Sequence, residues 1–516
     1  MLKITLCKSL LPVLVYTVML SGCGGGSGTS RSDGSGAGPT TPTTATPATQ
    51  QINGRITGFG SVIVNGVHFD VDTAAITHDG VPISETDLKV GMIIRLAGSV
   101  GDDGVTGIAT EIEFDEEVKG PVASVDVASS SFIVLGQTVF VDEETRFDGS
   151  SLETLTAGNV VEISGYFDAA GVLRASLVEL KSESLAVGEE VEVKGVIQAL
   201  DTVSQTFMLR DLAVSYSGAS LSDVPASGLA NGMFVEVKAN TAMTGGILVV
   251  HEIKFEDDDA DTEEGQELEL EGLVTGITSA TEFMVNGNRV ILTNTTEFED
   301  GSAADIALNV KIKVEGEVNA DGALVADEVT LRRRGNLRLE ATVDSVDPVT
   351  GSITLLGVAV STTATTVWED DSETDEHYFS LDHINTGDWV EVRGYLDANG
   401  MMVATAVERD DADGETVYSV HGPLSNLASA PNFSVLGITI TTDLLTGYKL
   451  FGETSSDLFF AGVVEGDIVA VKGHVTGTAQ IDAISVELEH DDERDEFGGD
   501  QPDDDDASDG ESDGTR

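Results

Sequence analysis

The sequence predicts an all-β protein. It reads as a tandem array of six small five-stranded antiparallel β-barrels of OB or SH3 type, between a disordered N-terminal tether and a disordered acidic C-terminal tail. Three observations predict this. First, one kernel recurs six times: GMIIRLAG (91–98), GNVVEISG (158–165), GMFVEVKA (232–239), NVKIKVEG (309–316), GDWVEVRG (387–394) and GDIVAVKG (466–473). That spacing is too long for solenoid repeats and right for small domains. Second, apolar residues alternate with a period of two, and helical periodicity is almost missing. Third, a five-stranded antiparallel sheet this small buries its apolar face and loses its edges by curling closed. Two stacked sheets in a sandwich satisfy the same alternation, so that arrangement stays open at this stage.

The N-terminus reads as a signal peptide over 1–22. Lys3 and Lys8 supply a positive start, and Leu10–Leu20 is an apolar stretch too short to span a bilayer. It ends in Leu20-Ser21-Gly22-Cys23, which resembles the bacterial lipobox. That resemblance implies cleavage before Cys23, acylation of its thiol and new amine, and stable membrane anchoring. Gly24 in place of aspartate implies sorting to the outer membrane, with the periplasmic or outward-facing side left open. The only other cysteine, Cys7, leaves with the signal, so no disulfide is expected and stability must come from cores. Residues 23–50, rich in Gly, Ser, Thr and Pro, form a tether.

The units follow at 51–117, 118–189, 190–257, 267–335, 336–409 and 416–489. Each opens on a strand that usually carries a central glycine, such as EVKGVIQAL (192–200). A β-hairpin comes next. Asn65-Gly66 and Asn286-Gly287 supply positive φ at both central turn positions, while Arg210-Asp211 lacks glycine and predicts a looser turn. After a polar segment comes the kernel strand. Its alternation points Val390 and Val392 at a core and Glu391 and Arg393 at water. A closing strand such as LVADEVTL (324–331) ends the unit. The kernel glycines suit sharp turns or bulges at barrel corners. Acidic linkers at 258–266 and 410–415 interrupt the array, and the like-charge block 490–516 has no face to bury.

The opening strand with its glycine, the F-x-V-N-G or F-x-V-L-G hairpin, the G-x-x-V-x-V-x-G kernel and the final A-x-x-V/I-E strand together resemble the bacterial family named domain of unknown function 5666. The resemblance covers roughly 52–489. It implies a secreted or lipid-anchored protein of tandem copies and carries no catalytic residues with it. Units 3 and 4 depart from the kernel at Ala239 and Asn309, which puts their corner geometry in question.

The net charge of −63, from 90 acidic and 27 basic residues, argues against nucleic acid as a partner. Aromatic residues at 5% argue against a stacking platform for sugars or single strands. Oxygen-rich segments suit Ca²⁺, which makes Asp257, Asp258, Asp259, Asp261, Asp410, Asp411 and Asp413 weak calcium candidates. None completes the looped pattern that wraps one ion, and solvated linkers with loosely held counterions explain the same residues. His377 and His383, among the carboxylates of the inserted segment Trp368–His383, are candidates for zinc or manganese, although their spacing fits neither a helix nor a shared ion on a strand. The basic cluster Arg332-Arg333-Arg334 could dock an acidic linker or a neighbouring unit in cis, or simply end a strand in solvent. Without a nucleophile, phosphate or dinucleotide motif in a fitting context, the chain reads as no enzyme and with no cofactor. The expected function is an extended, lipid-anchored envelope scaffold for binding, adhesion or spacing, with an envelope protein or polysaccharide as partner. A calcium-responsive envelope protein is the alternative, and an envelope enzyme of unknown chemistry the third reading.

Overall fold

Unit 4 shows the architecture most simply. Its opening strand Glu267–Ser279 pairs with Glu282–Val285, which turns back into Asn288–Glu299. That strand runs parallel to the closing strand Leu324–Leu331. The closing strand pairs antiparallel with the kernel strand Lys311–Val318, which returns to the opening strand. The circuit is therefore closed, with a single parallel contact between its third and fifth strands, the arrangement of an OB-type barrel. Units 1, 2, 3, 5 and 6 close through the same circuit. In these the third strand is interrupted: in unit 1, Val67–Asp70 and Ala75–His78 lie along successive stretches of Thr106–Phe114. The structure is a computed structural model and describes residues 49–256, 264–374, 376–412, 417–450 and 452–488. Among the described residues the one α-helix is Ser456–Gly462, and no helix is long and apolar enough to cross a membrane.

The kernel glycines have two distinct jobs. The leading position docks on the opening strand: Gly158 N–H donates to Val122 O at 2.8 Å and Val122 N–H donates to Asn159 O at 2.8 Å. The same pair of bonds recurs at Gly91, Gly232, Asn309, Gly387 and Gly466. All six of these residues have positive φ, from 65° at Asn309 to 102° at Gly158. Asparagine is the non-glycine residue that best tolerates this region, so unit 4 keeps the corner. The closing glycine sits at a bulge where the register between kernel and closing strands slips, as at Arg393/Gly394 and Glu315/Gly316. A Cβ there would run into the facing carbonyl oxygen, at 2.6 Å for Gly98 and closer for Gly316 and Gly394. Unit 3 has Ala239 instead. Its closing strand breaks into Ile247–Val249 and Glu252–Phe255, and the two halves join through Val250 and His251. The Arg210-Asp211 turn is not looser than the others: Leu209 still faces Leu212 across two residues, with Arg210 at φ 50°.

The units pair through their opening strands. Units 2 and 3 join antiparallel at Val118–Val193 and Lys119–Glu192. Units 5 and 6 join antiparallel across the second acidic linker, at Leu339–Val420. Units 1 and 4 join in parallel at Ile52–Glu269, although two units lie between them in sequence. Units 5 and 6 share one core, built around Leu339, Val392, Val420 and Val471. Units 2 and 3 share another, around Val118, Ile163, Val193 and Val237. The barrels also pack on one another, and the described residues of the array belong to one compact unit. The reason lies in the outward residues of the strands. Glu391 and Arg393, expected in water, retain only 12% and 16% side-chain exposure, with Arg393 paired to Glu391 and Glu408.

Candidate functional site

A dense ionisable cluster lies where units 1, 2 and 3 meet. Pairing of the opening strands of units 2 and 3 lines up Glu162, Lys119, Glu192 and Lys238 in one cross-strand row. These are outward positions of barrel strands, where alternation normally leaves charge in solvent. Here the tip of unit 1 covers them. His78 ends the strand Ala75–His78, and Asp79, at φ 50°, opens the turn that follows. Glu116 lies on the short link between Phe114 and Val118 that joins unit 1 to unit 2. As a result Glu116, Glu162, Glu192 and Glu236 are 0%, 3%, 1% and 2% exposed.

Carboxylates outnumber the cations that serve them. Lys238 alone answers to Glu192 at 2.8 Å, Asp79 at 3.3 Å and Glu236 at 3.6 Å. Lys119 lies 3.3 Å from Glu162 and 3.6 Å from Glu116. His78 Nε2 hydrogen-bonds Glu116 Oε2 at 2.6 Å. Glu116 Oε1, Glu162 Oε2 and Glu192 Oε1 are buried without a hydrogen-bond partner. Burial pushes the Glu116 carboxyl up, but His78 and Lys119 outweigh it and hold the group down at about 2. Burial lowers the His78 imidazole, and its bond to Glu116 more than reverses this, so it is raised. Burial, then Glu116, pushes Asp79 up to about 6. Burial and the neighbouring Glu236 drive Glu192 upward as well. Buried carboxylates at close range cannot all stay ionised unless a proton or a cation joins them.

Two groups of ligand atoms fit a cation. The His78, Glu116 and Glu162 atoms lie within 4.8 Å of one another, and so do those of Asp79, Glu116 and Glu192. The second, all-oxygen set suits a hard ion such as Ca²⁺; the first, with its imidazole, suits Mn²⁺ or Zn²⁺.

The residues singled out from sequence fall elsewhere. Cys23, Asp257, Asp258, Asp259, Asp261 and Asp413 lie outside the described residues. Asp410 and Asp411 are exposed, and Asp411 accepts the Glu373 N–H at 2.7 Å. His377 stacks on Phe59 of unit 1 with centroids 4.1 Å apart, while His383 Nδ1 bonds Ser380 Oγ at 3.0 Å. Asp370 and Glu376 of the same segment both serve Arg409. Neither close ligand group among the described residues includes His377, His383, Asp410 or Asp411. The segment was expected to be a polar insertion, but Trp368 and Phe379 pack edge to face inside it, with Phe379 only 1% exposed. The sequence reading missed this junction; the acidic run Asp115-Glu116-Glu117, set between two apolar strands, is the one signal that could have pointed to it. Sequence alone could not say that unit 3 and the tip of unit 1 close over it.

A search of curated proteins found no match. Six segments do match one family, at 51–113, 119–179, 194–254, 271–330, 340–408 and 421–487, each spanning one of the barrels just described. The chain belongs to the family described as domain of unknown function 5666.

Proposed function

We propose that this protein is a non-catalytic scaffold of the cell envelope, anchored in the outer membrane through lipid on Cys23. Its six barrels act as one body that presents its outer surface to an envelope protein or polysaccharide. The observation that supports this reading is how the repeat spends its defining residues. Leading kernel glycines dock on the opening strand, and closing ones permit a bulge. Opening-strand glycines make room for the hairpin tip, as Gly272 does for Asn286. The repeat is thus consumed by barrel closure. Metabolic labelling with a fatty acid tests the anchoring: the wild-type chain should take up label and sediment with membranes, and Cys23→Ala should do neither. Unlabelled wild-type protein, or a Cys23→Ala chain that still sediments, would refute it.

The calcium-responsive alternative has its own support in the junction of units 1, 2 and 3. It moves the ion from the acidic linkers to Asp79, Glu116 and Glu192, whose surplus charge a divalent ion would neutralise. An ion at about 100 times its Kd adds roughly 2.7 kcal/mol of stability. Millimolar Ca²⁺ or Mn²⁺ should therefore raise the melting temperature over that in EDTA, and Glu116→Gln or Glu192→Gln should abolish the rise. A wild-type melt indifferent to both ions would eliminate this reading.

A further inference from the structure

The chain carries 27 lysines and arginines against 90 acids, yet six of those cations line one small cavity: Arg55, Arg146, Lys311, Arg332, Arg333 and Arg334. The cavity lies where units 1, 2, 4 and 5 meet, and its volume is about 90 Å³. One water needs roughly 10–15 Å³ by the same measure, so the space admits several waters or one small polyatomic ion. The acids in its wall are Glu144, Glu271 and Asp300, half as many as the cations.

Several guanidinium donors there are unused. Arg55 is 5% exposed; its Nη2 donates to the Glu144 carbonyl at 2.8 Å, and its Nε–H has no acceptor. Arg146 is 4% exposed and spends its terminal nitrogens on Glu369 and Glu408 of unit 5, leaving Nε unbonded. Arg332 Nε lies 3.4 Å from Glu271 Oε2 without hydrogen-bond geometry, and its Nη2 has no partner. Glu271 is shared: Lys311 reaches it at 3.1 Å and the Tyr166 hydroxyl at 3.3 Å. Although burial pushes Glu271 up, Lys311 and Arg332 hold it at about 2, so it stays charged and still leaves cations over. Arg333 sits at the exposed side, its guanidinium 5.5 Å from the Tyr395 ring centre. A buried guanidinium N–H without an acceptor is costly, and planar guanidinium forks match the oxygens of phosphate and sulfate.

We propose that this cavity binds a small inorganic oxyanion, phosphate or sulfate, held by Arg55, Arg332 and Arg333 where the four units meet. The anion supplies the acceptors that the arginines lack. All three residues belong to units 1 and 4, so the anion bridges that pair inside a cavity walled also by units 2 and 5. The site is independent of the carboxylate junction, which has the opposite charge and different residues.

Titration calorimetry of the full chain with sodium phosphate and with sodium sulfate, at constant ionic strength set with chloride, tests this. One saturable site per chain is expected for both anions, with a rise in melting temperature that chloride does not give. Arg332→Gln should weaken binding by about tenfold or more, as loss of a charge-assisted hydrogen bond does. Arg333 is exposed and outside every core, so Arg333→Gln keeps the fold and should weaken binding severalfold. Lys449→Gln, on unit 6 and paired with Glu487, should leave it unchanged. No saturable binding of either anion to the wild-type chain overturns the proposal, and so does undiminished binding in Arg333→Gln.

Discussion

Gly394 shows how much one hydrogen atom decides in this fold. The closing strand crosses behind it so tightly that the Val403 carbonyl oxygen occupies the place of a side chain. The obstacle is backbone held in a ladder, so it cannot swing aside. Gly394→Ala should destabilise units 5 and 6 by about 2–3 kcal/mol, the scale of overpacking at a rigid site. A urea melt followed by tryptophan fluorescence measures it, since both tryptophans, Trp368 and Trp389, lie in unit 5. An unchanged midpoint would show that the bulge relaxes. Unit 3 illustrates the natural version of the change: with Ala239 at this position, its closing strand is split. The sequence announced this position as a departure from the kernel, but the broken partner strand appears only in three dimensions.

At the level of elements, alternation told which residues leave the barrel core but not where they go. The kernel strand Val160–Phe167 sends Glu162 outward, as its pattern requires, and Glu162 is nonetheless 3% exposed. A neighbouring barrel, not the solvent, receives it. The consequence is a pH dependence. Asp79, raised to about 6, binds its proton more tightly in the folded state, so it adds stability as pH falls through that value. His78 is raised too, and its contribution is complete below its ordinary value of 6.5 and lost as pH rises through the folded value. Glu116, held at about 2, keeps its contribution until far lower pH. In EDTA the protein should therefore melt higher near about pH 5 than near about pH 8, and Asp79→Asn should shrink the difference. A wild-type melt that falls on acidification over this range would contradict the assignment.

For the whole molecule, the pairing of barrels sets the cooperative units. Units 5 and 6 share a continuous core and join through Arg338–His421, Leu339–Val420 and Glu340–Ser419. A fragment spanning 336–488 should therefore fold alone and melt in one transition. Calorimetry showing two separate transitions would mean the two barrels are independent. Units 1 and 4 have separate cores and meet through three paired positions, so their association leans on side-chain bonds such as Asn65 to Glu269 between them and Tyr166 of unit 2 to Glu271.

The sequence by itself determined the repeat: six all-β copies, the order of strands in each, the turns that need positive φ, and the corners or bulges that need glycine. These follow from contacts within about 70 residues, where alternation and turn chemistry act locally. Tertiary structure alone decided the partners of each barrel, because edge pairing and burial of outward charges depend on surfaces that meet across hundreds of residues. Unit 1 pairs with unit 4, Arg146 of unit 2 reaches Glu369 and Glu408 of unit 5, and His78 of unit 1 lands on Glu116 and Glu162. Each of these residues looks like ordinary surface charge in its own repeat. Desolvation gives it significance, and desolvation comes only when another barrel covers it.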